Sequence, residues 1–230
     1  SHSVDFYYTE RNILIEDYSK TMFGLIKSNV SHSLVVFLII FLVPAGTGNG
    51  MGQSYPVKKG TLLIAKSSIR DSIFNKSVVL ITQHGREEGT QGLIINKPSG
   101  HAPGDILPPD SGAEKLYEIL FIGGPVILSV PSLLIETEIP PEGAMNIFSH
   151  VYLSMSLDTV LGEENSKRHR QIRIYAGISN WAPGQLELEI ANGDWLTLGP
   201  DTETVFTEDP EGIWEDMVKQ YEKRGTGILI

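Results

Sequence analysis

The sequence contains no cysteine, which excludes disulfides, thiolate metal sites, a cysteine nucleophile and a lipid-modified cysteine anchor. Cations are also scarce: 18 Lys and Arg stand against 28 Asp and Glu, a formal net charge of −10. That balance argues against direct nucleic-acid binding, which needs a basic face to displace phosphate counterions. The one dense basic run, Lys167-Arg168-His169-Arg170, reads as a solvated loop before a strand. Long apolar runs are nearly absent too. The exception, Leu34–Val43 ("LVVFLIIFLV"), would reach only about 15 Å as a helix, half a bilayer core, so no integral membrane span is expected. Several standard chemical motifs are missing: no G-x-S-x-G elbow, no P-loop, no HExxH and no zinc-like histidine spacing. No catalytic residue, metal or cofactor is therefore assigned.

What is present divides the chain in two. Residues 1–50 are an extension outside the core: Met22, Lys27, the apolar segment 34–43 and the small-residue stretch "PAGTGNG" together resemble an export signal across 22–48. A short membrane-surface anchor and an artefactual extension are the alternatives. The chain as a whole has 41% hydrophobic and 20% charged residues, the balance of a globular protein. The folded unit is expected over 57–225.

Within it, "TLLIA", "SVVLITQH", "GLIINK", "YEILFI", "SLLIETEI", "IFSHVYLSMS", "QIRIYAGI" and "DWLTL" read as strands. "GREEGTQ" reads as a long hairpin loop and "HAPGDILPPDSG" as loop. "LDTVLGEE" reads as a short helix capped by Ser156. Ile213, Met217 and Tyr221 recur at i+4 beside Trp214 and Val218, with Gly225 as the stop, which predicts an amphipathic helix. Strands and helices mix without a βαβ rhythm, so the class is α+β.

"GISNWAPGQLELEI" (177–190) concentrates polar chemistry between apolar runs. Its Leu/Glu alternation fits a strand as well as it fits a helix with Pro183 in the first turn and Gly193 at the end. On a helix Gln185 and Glu189 pair at i+4, while Glu187 and Glu189 diverge and cannot share a proton. His84, at a strand end beside a loop, is the best placed general base by residue type; its bland reading is a turn-bonding histidine, and His150, on a strand, has the same two readings. Gly123-Gly124-Pro125 permits a backbone excursion, for close packing or a pocket wall.

Ordered blocks in the chain resemble the AlgH/YqgE family of bacterial and plant proteins: "LLIA", "DSIFNKSVVLITQH", "GLIINKP", "IGGPV" and "YAGISNWAPGQLELEIANGDWL", across nearly all of 60–223. Ser72 stands where the family favours proline, Gln83 where it favours Glu before His84, and Glu136 where histidine often occurs. Extra residues separate Tyr175 from Trp181. The resemblance implies a single compact α+β domain, a branched mixed β-sheet folded into a pseudo-barrel and flanked by short helices. It tips 183–192 toward helix, anchored on the sheet by Trp181 and Leu186, and implies a cytoplasmic location that a genuine signal at 22–48 would replace with export. It supplies no reaction, and the family's naming as a transcriptional regulator implies no DNA-binding motif. The leading expectation is a non-enzymatic regulatory or interaction protein with an unknown protein partner. The alternative is a small-molecule-binding protein or hydrolase with a groove formed by His84, Asn96, Gln185 and Glu187. The oligomeric state stays open.

Overall fold

All four side chains of β1 (Leu62–Ala65) are buried, so this short apolar run must be covered on both faces. Leu62 and Ile64 point into one core cluster with Val78, Leu80, Leu93 and Tyr175. Leu63 and Ala65 point the other way, into a cluster with Val79, Ile81, Trp181 and Trp195. The structure is a computed structural model that describes residues 55–107, 112–116, 118–161 and 171–225. The expected signal-like segment and the basic run at 167–170 lie outside the described residues.

The remaining strands are β2 (Val78–Gly85), β3 (Gly89–Ile94), β4 (Leu120–Ile122), β5 (Val126–Glu136), β6 (Met145–Phe148), β7 (Val151–Ser154), β8 (Gln171–Trp181) and β9 (Trp195–Leu198). They form one nine-stranded sheet in the order β6-β7-β5-β8-β3-β2-β1-β9, with β4 paired to β8 off this path. Every pairing among the described residues is antiparallel except β4–β8, so the sheet is mixed. Four short helices accompany it among the described residues: α1 (Pro103–Ile106), α2 (Gln185–Ala191), α3 (Thr202–Val205) and α4 (Ile213–Gly225). The fold is α+β with a branched, curled sheet, as the family blocks imply.

The branch is at β8. Its first half pairs with β5 on one edge and β4 on the other, so that Ile174 faces both Leu133 and Leu120. Its last residues leave β4 and pair with β3, Ser179 opposite Gly92 and Trp181 opposite Thr90. The turn-off is Gly177, with φ +76°, where a Cβ would lie 2.2 Å from the Gly124 carbonyl oxygen. Only glycine combines that dihedral with so close a backbone. Of the two readings for Gly123-Gly124, the geometry here is close packing: Ser179 Oγ also donates to the Gly123 carbonyl at 3.1 Å.

Two helices close the faces. α4 lays Trp214, Met217, Val218 and Tyr221 on the cluster containing Leu62 and Ile64, and Trp214 Nε1 donates to the Ala65 carbonyl at 2.7 Å. α2 buries Leu186 completely on the opposite cluster, which stabilises by about 2 kcal/mol. Ser156 does cap its turn, accepting from the Asp158 N–H, but the turn is a 3-10 helix limited to Leu157–Thr159.

Three local expectations need correction. "IFSHVYLSMS" is two strands, β6 and β7, reversed at Ser149 with φ +43°, so His150 lies at the turn rather than on a strand. The β2–β3 loop is short, because pairing continues through a bulge between Ile81 and Gln83 to Gly85 opposite Gly89. The stretch "HAPGDILPPDSG" contains α1, whose Asp105 carboxylate accepts from the Ala102 N–H at 3.1 Å.

Candidate functional site

The β2–β3 hairpin and β8 align His84, Thr90 and Trp181 side by side on one face of the sheet. His84 Nδ1 lies 2.8 Å from Thr90 Oγ1, and Nε2 lies 3.6 Å from Glu187 Oε1 on α2. Thr90 is buried, the His84 side chain is 23% exposed and that of Glu187 51%. The hydroxyl is therefore spent on orienting the ring, and the other ring nitrogen faces a solvated carboxylate beyond hydrogen-bond length. An ion pair so exposed is worth little to stability.

Gln185 and Glu189 belong to a different network on the same helix. Pro183 and Gly184 precede α2, and the Ala182 N–H donates to Gln185 Oε1 at 3.0 Å. Gln185 Nε2 then donates to Glu189 Oε1 at 2.9 Å. Glu189 Oε2 accepts from both Trp181 Nε1 and Trp195 Nε1, each at 2.9 Å. The two indoles meet edge-on, with centroids 5.9 Å apart, and Phe74 packs against both. One carboxylate thus satisfies two indole donors of buried tryptophans and ties the start of the helix to the sheet. Nearby, burial first and then the Glu189 charge raise the pKa of Asp194, with Lys66 opposing.

Asn96 stands apart. It accepts from the Val78 N–H at 2.8 Å and donates to the Lys76 carbonyl at 2.9 Å, and is 6% exposed. The asparagine continues the β2–β3 pairing with its side chain, at the end of the hairpin remote from His84, about 20 Å along the strand. The structure brings His84 and Glu187 together, places Gln185 on the same helix but bonded to Glu189, and leaves Asn96 out.

Two features escaped the sequence reading. The tryptophan-bridging role of Glu189 depends on Trp195, in another element; the Gln185–Glu189 spacing gave the only local sign of it. The other is Lys97, which follows Asn96 and donates to the Ser72 carbonyl at 3.3 Å. Burial holds its pKa below the usual lysine value, with Asp71 opposing. This contact joins the "DSIFNK" and "INKP" blocks. Asp71 meanwhile accepts from the Ile73 and Phe74 N–H groups at 2.8 and 3.0 Å. Among the described residues no cluster of three or more His, Asp or Glu can hold a metal, and no helix is long and apolar enough to cross a membrane.

A concavity of 810 Å³ lies elsewhere, beside the β6–β7 hairpin. It is lined by Ile139, Pro140, Met145, Leu153 and Met155, with Glu142 and Asp158 among its polar residues.

Comparison with known proteins gives the chain its relatives. A family model described as AlgH-like matches residues 62–224. A UPF0301 protein of Methylococcus capsulatus is 34% identical over 70% of this chain and 89% of its own length. A UPF0301 protein of Chlamydia abortus is 32% identical over 71% of this chain and 86% of its own. The solution structure of the AlgH protein from Pseudomonas aeruginosa superimposes with a TM-score of 0.56 at 26% identity, covering 78% of this chain and 94% of that one. A crystal structure from Corynebacterium diphtheriae shares the fold, with a TM-score of 0.58 at 23% identity over 73% and 89% of the two chains. Through residues 62–224, this chain belongs to the AlgH-like family.

Proposed function

We propose that the protein acts by binding another protein, in a regulatory role, and not by chemistry at the His84 locus. The observation that carries this reading is where the polar groups are spent. Asn96 is bonded to backbone on both amide atoms, Gln185 and Glu189 are committed to the Ala182 N–H and two indoles, and Thr90 is buried against His84. A general base needs a ring nitrogen directed at a substrate cavity, together with a group that orients it. Here the orienting hydroxyl is present and the second nitrogen meets Glu187. The net charge of −10 also disfavours a direct role on DNA.

The second reading, a small-molecule-binding protein or hydrolase at this locus, is favoured by the 3.6 Å approach of Glu187 to His84. With a hydroxyl on one ring nitrogen and a carboxylate near the other, the ring would be held in one orientation toward a substrate. Complementation of a deletion strain decides between the two. His84→Ala and Glu187→Gln, at matched expression and with unchanged thermal melts, should restore the phenotype as the parent does. Loss of function in either folded variant would establish a chemical site at His84.

A further inference from the structure

We propose that Lys97 is a modification site: its amine, held just past the end of β3, takes acyl groups from small acyl phosphates ahead of the exposed lysines. The proposal goes beyond the interaction reading above and does not depend on it.

The backbone around Lys97 is clamped. Asn96, the residue before it, binds the Val78 N–H and the Lys76 carbonyl through its side chain. The Lys97 carbonyl accepts from the Ile122 N–H at 2.8 Å, and Pro98, which follows, has its φ locked by its ring. From this clamp the side chain crosses to the 69–76 segment, where Nζ donates to the Ser72 carbonyl at 3.3 Å.

The surroundings favour the free amine. Lys97 is half-buried, whereas Lys58, Lys59, Lys66, Lys76, Lys219 and Lys223 are exposed. Loss of hydration disfavours the ammonium far more than the neutral amine. Lys76 and Lys219 have carboxylates at 3.0 and 3.2 Å that hold their protons. Among the described residues no carboxylate lies within ion-pair distance of Lys97. Asp71 acts from further off, with its Oδ1 accepting from the Ile73 and Phe74 N–H groups, and only partly offsets the burial that holds Lys97 below the usual lysine value. The Ser72 carbonyl retains a proton less well than a carboxylate does, because a neutral amine also donates to it and keeps its lone pair free.

Half-burial restricts the acyl donor to a small one. At pH 7.5 an ordinary lysine has only about one amine in a thousand unprotonated, so any lowering of its pKa multiplies the reactive form. That amine attacks the acyl carbon of the acyl phosphate. An N–C bond forms, the bond from that carbon to the bridging oxygen breaks, phosphate leaves with the electron pair, and the nitrogen gives a proton to water. The product amide keeps one N–H for the Ser72 carbonyl and carries no charge.

Acetyl phosphate added to the full chain at pH 7.5 tests this. After denaturation, isotopically heavy acetic anhydride completes every remaining lysine, and mass spectrometry reads the light fraction at each position. The light fraction at Lys97 should exceed the median of the six exposed lysines by at least about twofold, and the excess should vanish when acetyl phosphate is added in urea. Asp71→Asn keeps an oxygen for the Ile73 and Phe74 amides but removes the opposing charge, so it should raise labelling at Lys97 and leave Lys58 unchanged. A light fraction at Lys97 less than twofold above that median, an excess that persists in urea, or no rise at Lys97 in Asp71→Asn would each overturn the proposal. The first two measurements need no variant, so they decide even where Asp71→Asn fails to fold.

Discussion

Exchanging the side chains at 185 and 189 gives a direct test of the tryptophan clip. In the native arrangement the polarity runs one way: the Ala182 N–H donates to Gln185, Gln185 donates to Glu189, and both oxygens of Glu189 accept. Glu189→Gln keeps a carbonyl for the two indoles but removes the charge and sets an amide NH2 against Gln185 Nε2. Hydrogen bonds to charged groups exceed neutral ones by about 1 kcal/mol each, so two indoles and one donor clash predict a loss of about 2–3 kcal/mol. Gln185→Glu sets two carboxylates side by side and should lose about 1–2 kcal/mol at neutral pH. The exchange Gln185→Glu/Glu189→Gln restores every bond. The amide now at position 189 would offer its carbonyl to the indoles and its NH2 to the carboxylate now at position 185, whose second oxygen takes the Ala182 N–H. The negative charge then sits at the first turn of α2, which favours it. The exchange should lose only about 1 kcal/mol, a coupling of about 2–4 kcal/mol. Urea unfolding followed by far-ultraviolet circular dichroism measures all four proteins without relying on the perturbed tryptophans. Additive losses, or a neutral Glu189→Gln, would refute the one-way relay.

Trp181→Ala should cost about 3–5 kcal/mol in a denaturant melt, because the indole is buried against Phe74 and Trp195; a change below about 0.5 kcal/mol would mark it as a surface platform instead. Lys97 has a folded-state pKa below its unfolded value of 10.5, so the unfolded chain binds more protons in that interval and stability rises with pH toward 10.5. Lys97→Met should therefore be stabilising relative to the parent at pH 8, with the gap narrowing at pH 10; urea midpoints at both pH values check the sign. Residues 57–225 should unfold cooperatively without the first fifty, since chain contacts divide between Met51 and Gly52; a non-cooperative melt of the truncated chain would contradict this.

The strands legible in the sequence were those whose apolar runs are bounded by glycine, proline or charge, such as 62–65 and the first part of β8, 171–178. The β6–β7 turn was not, because Ser149 takes a positive φ that its residue type does not announce. The helix at 185–191 was hidden by an accident of pattern: Leu186, Leu188 and Ile190 alternate like a strand, but only Leu186 is fully buried and Leu188 is 63% exposed. The candidate site was legible where partners are local. The Gln185–Glu189 bond follows from helix spacing, and His84 at a strand end follows from periodicity. Asn96 was chosen for its chemistry, yet its role is set by the backbone of residues 76–78 across the hairpin, and a single-sequence pattern carries no information on that.

The branching strand has a consequence for the order in which the protein can assemble. β8 holds β3 on one stretch and β4 and β5 on another, and it lies late in the chain, at 171–181. As the chain leaves the ribosome, β1–β3 and β5–β7 can each form hairpins, but both groups keep a bare strand edge until residue 181 has emerged. β9 and the α2 clip come later still. The nascent protein therefore carries one incomplete sheet from Ile94 onward and a second from Ser154 onward, each able to pair with a neighbouring chain until Trp181 has emerged. Binding of either open edge during translation, by a chaperone or by another nascent copy, decides whether β8 finds both of its partners in the same molecule.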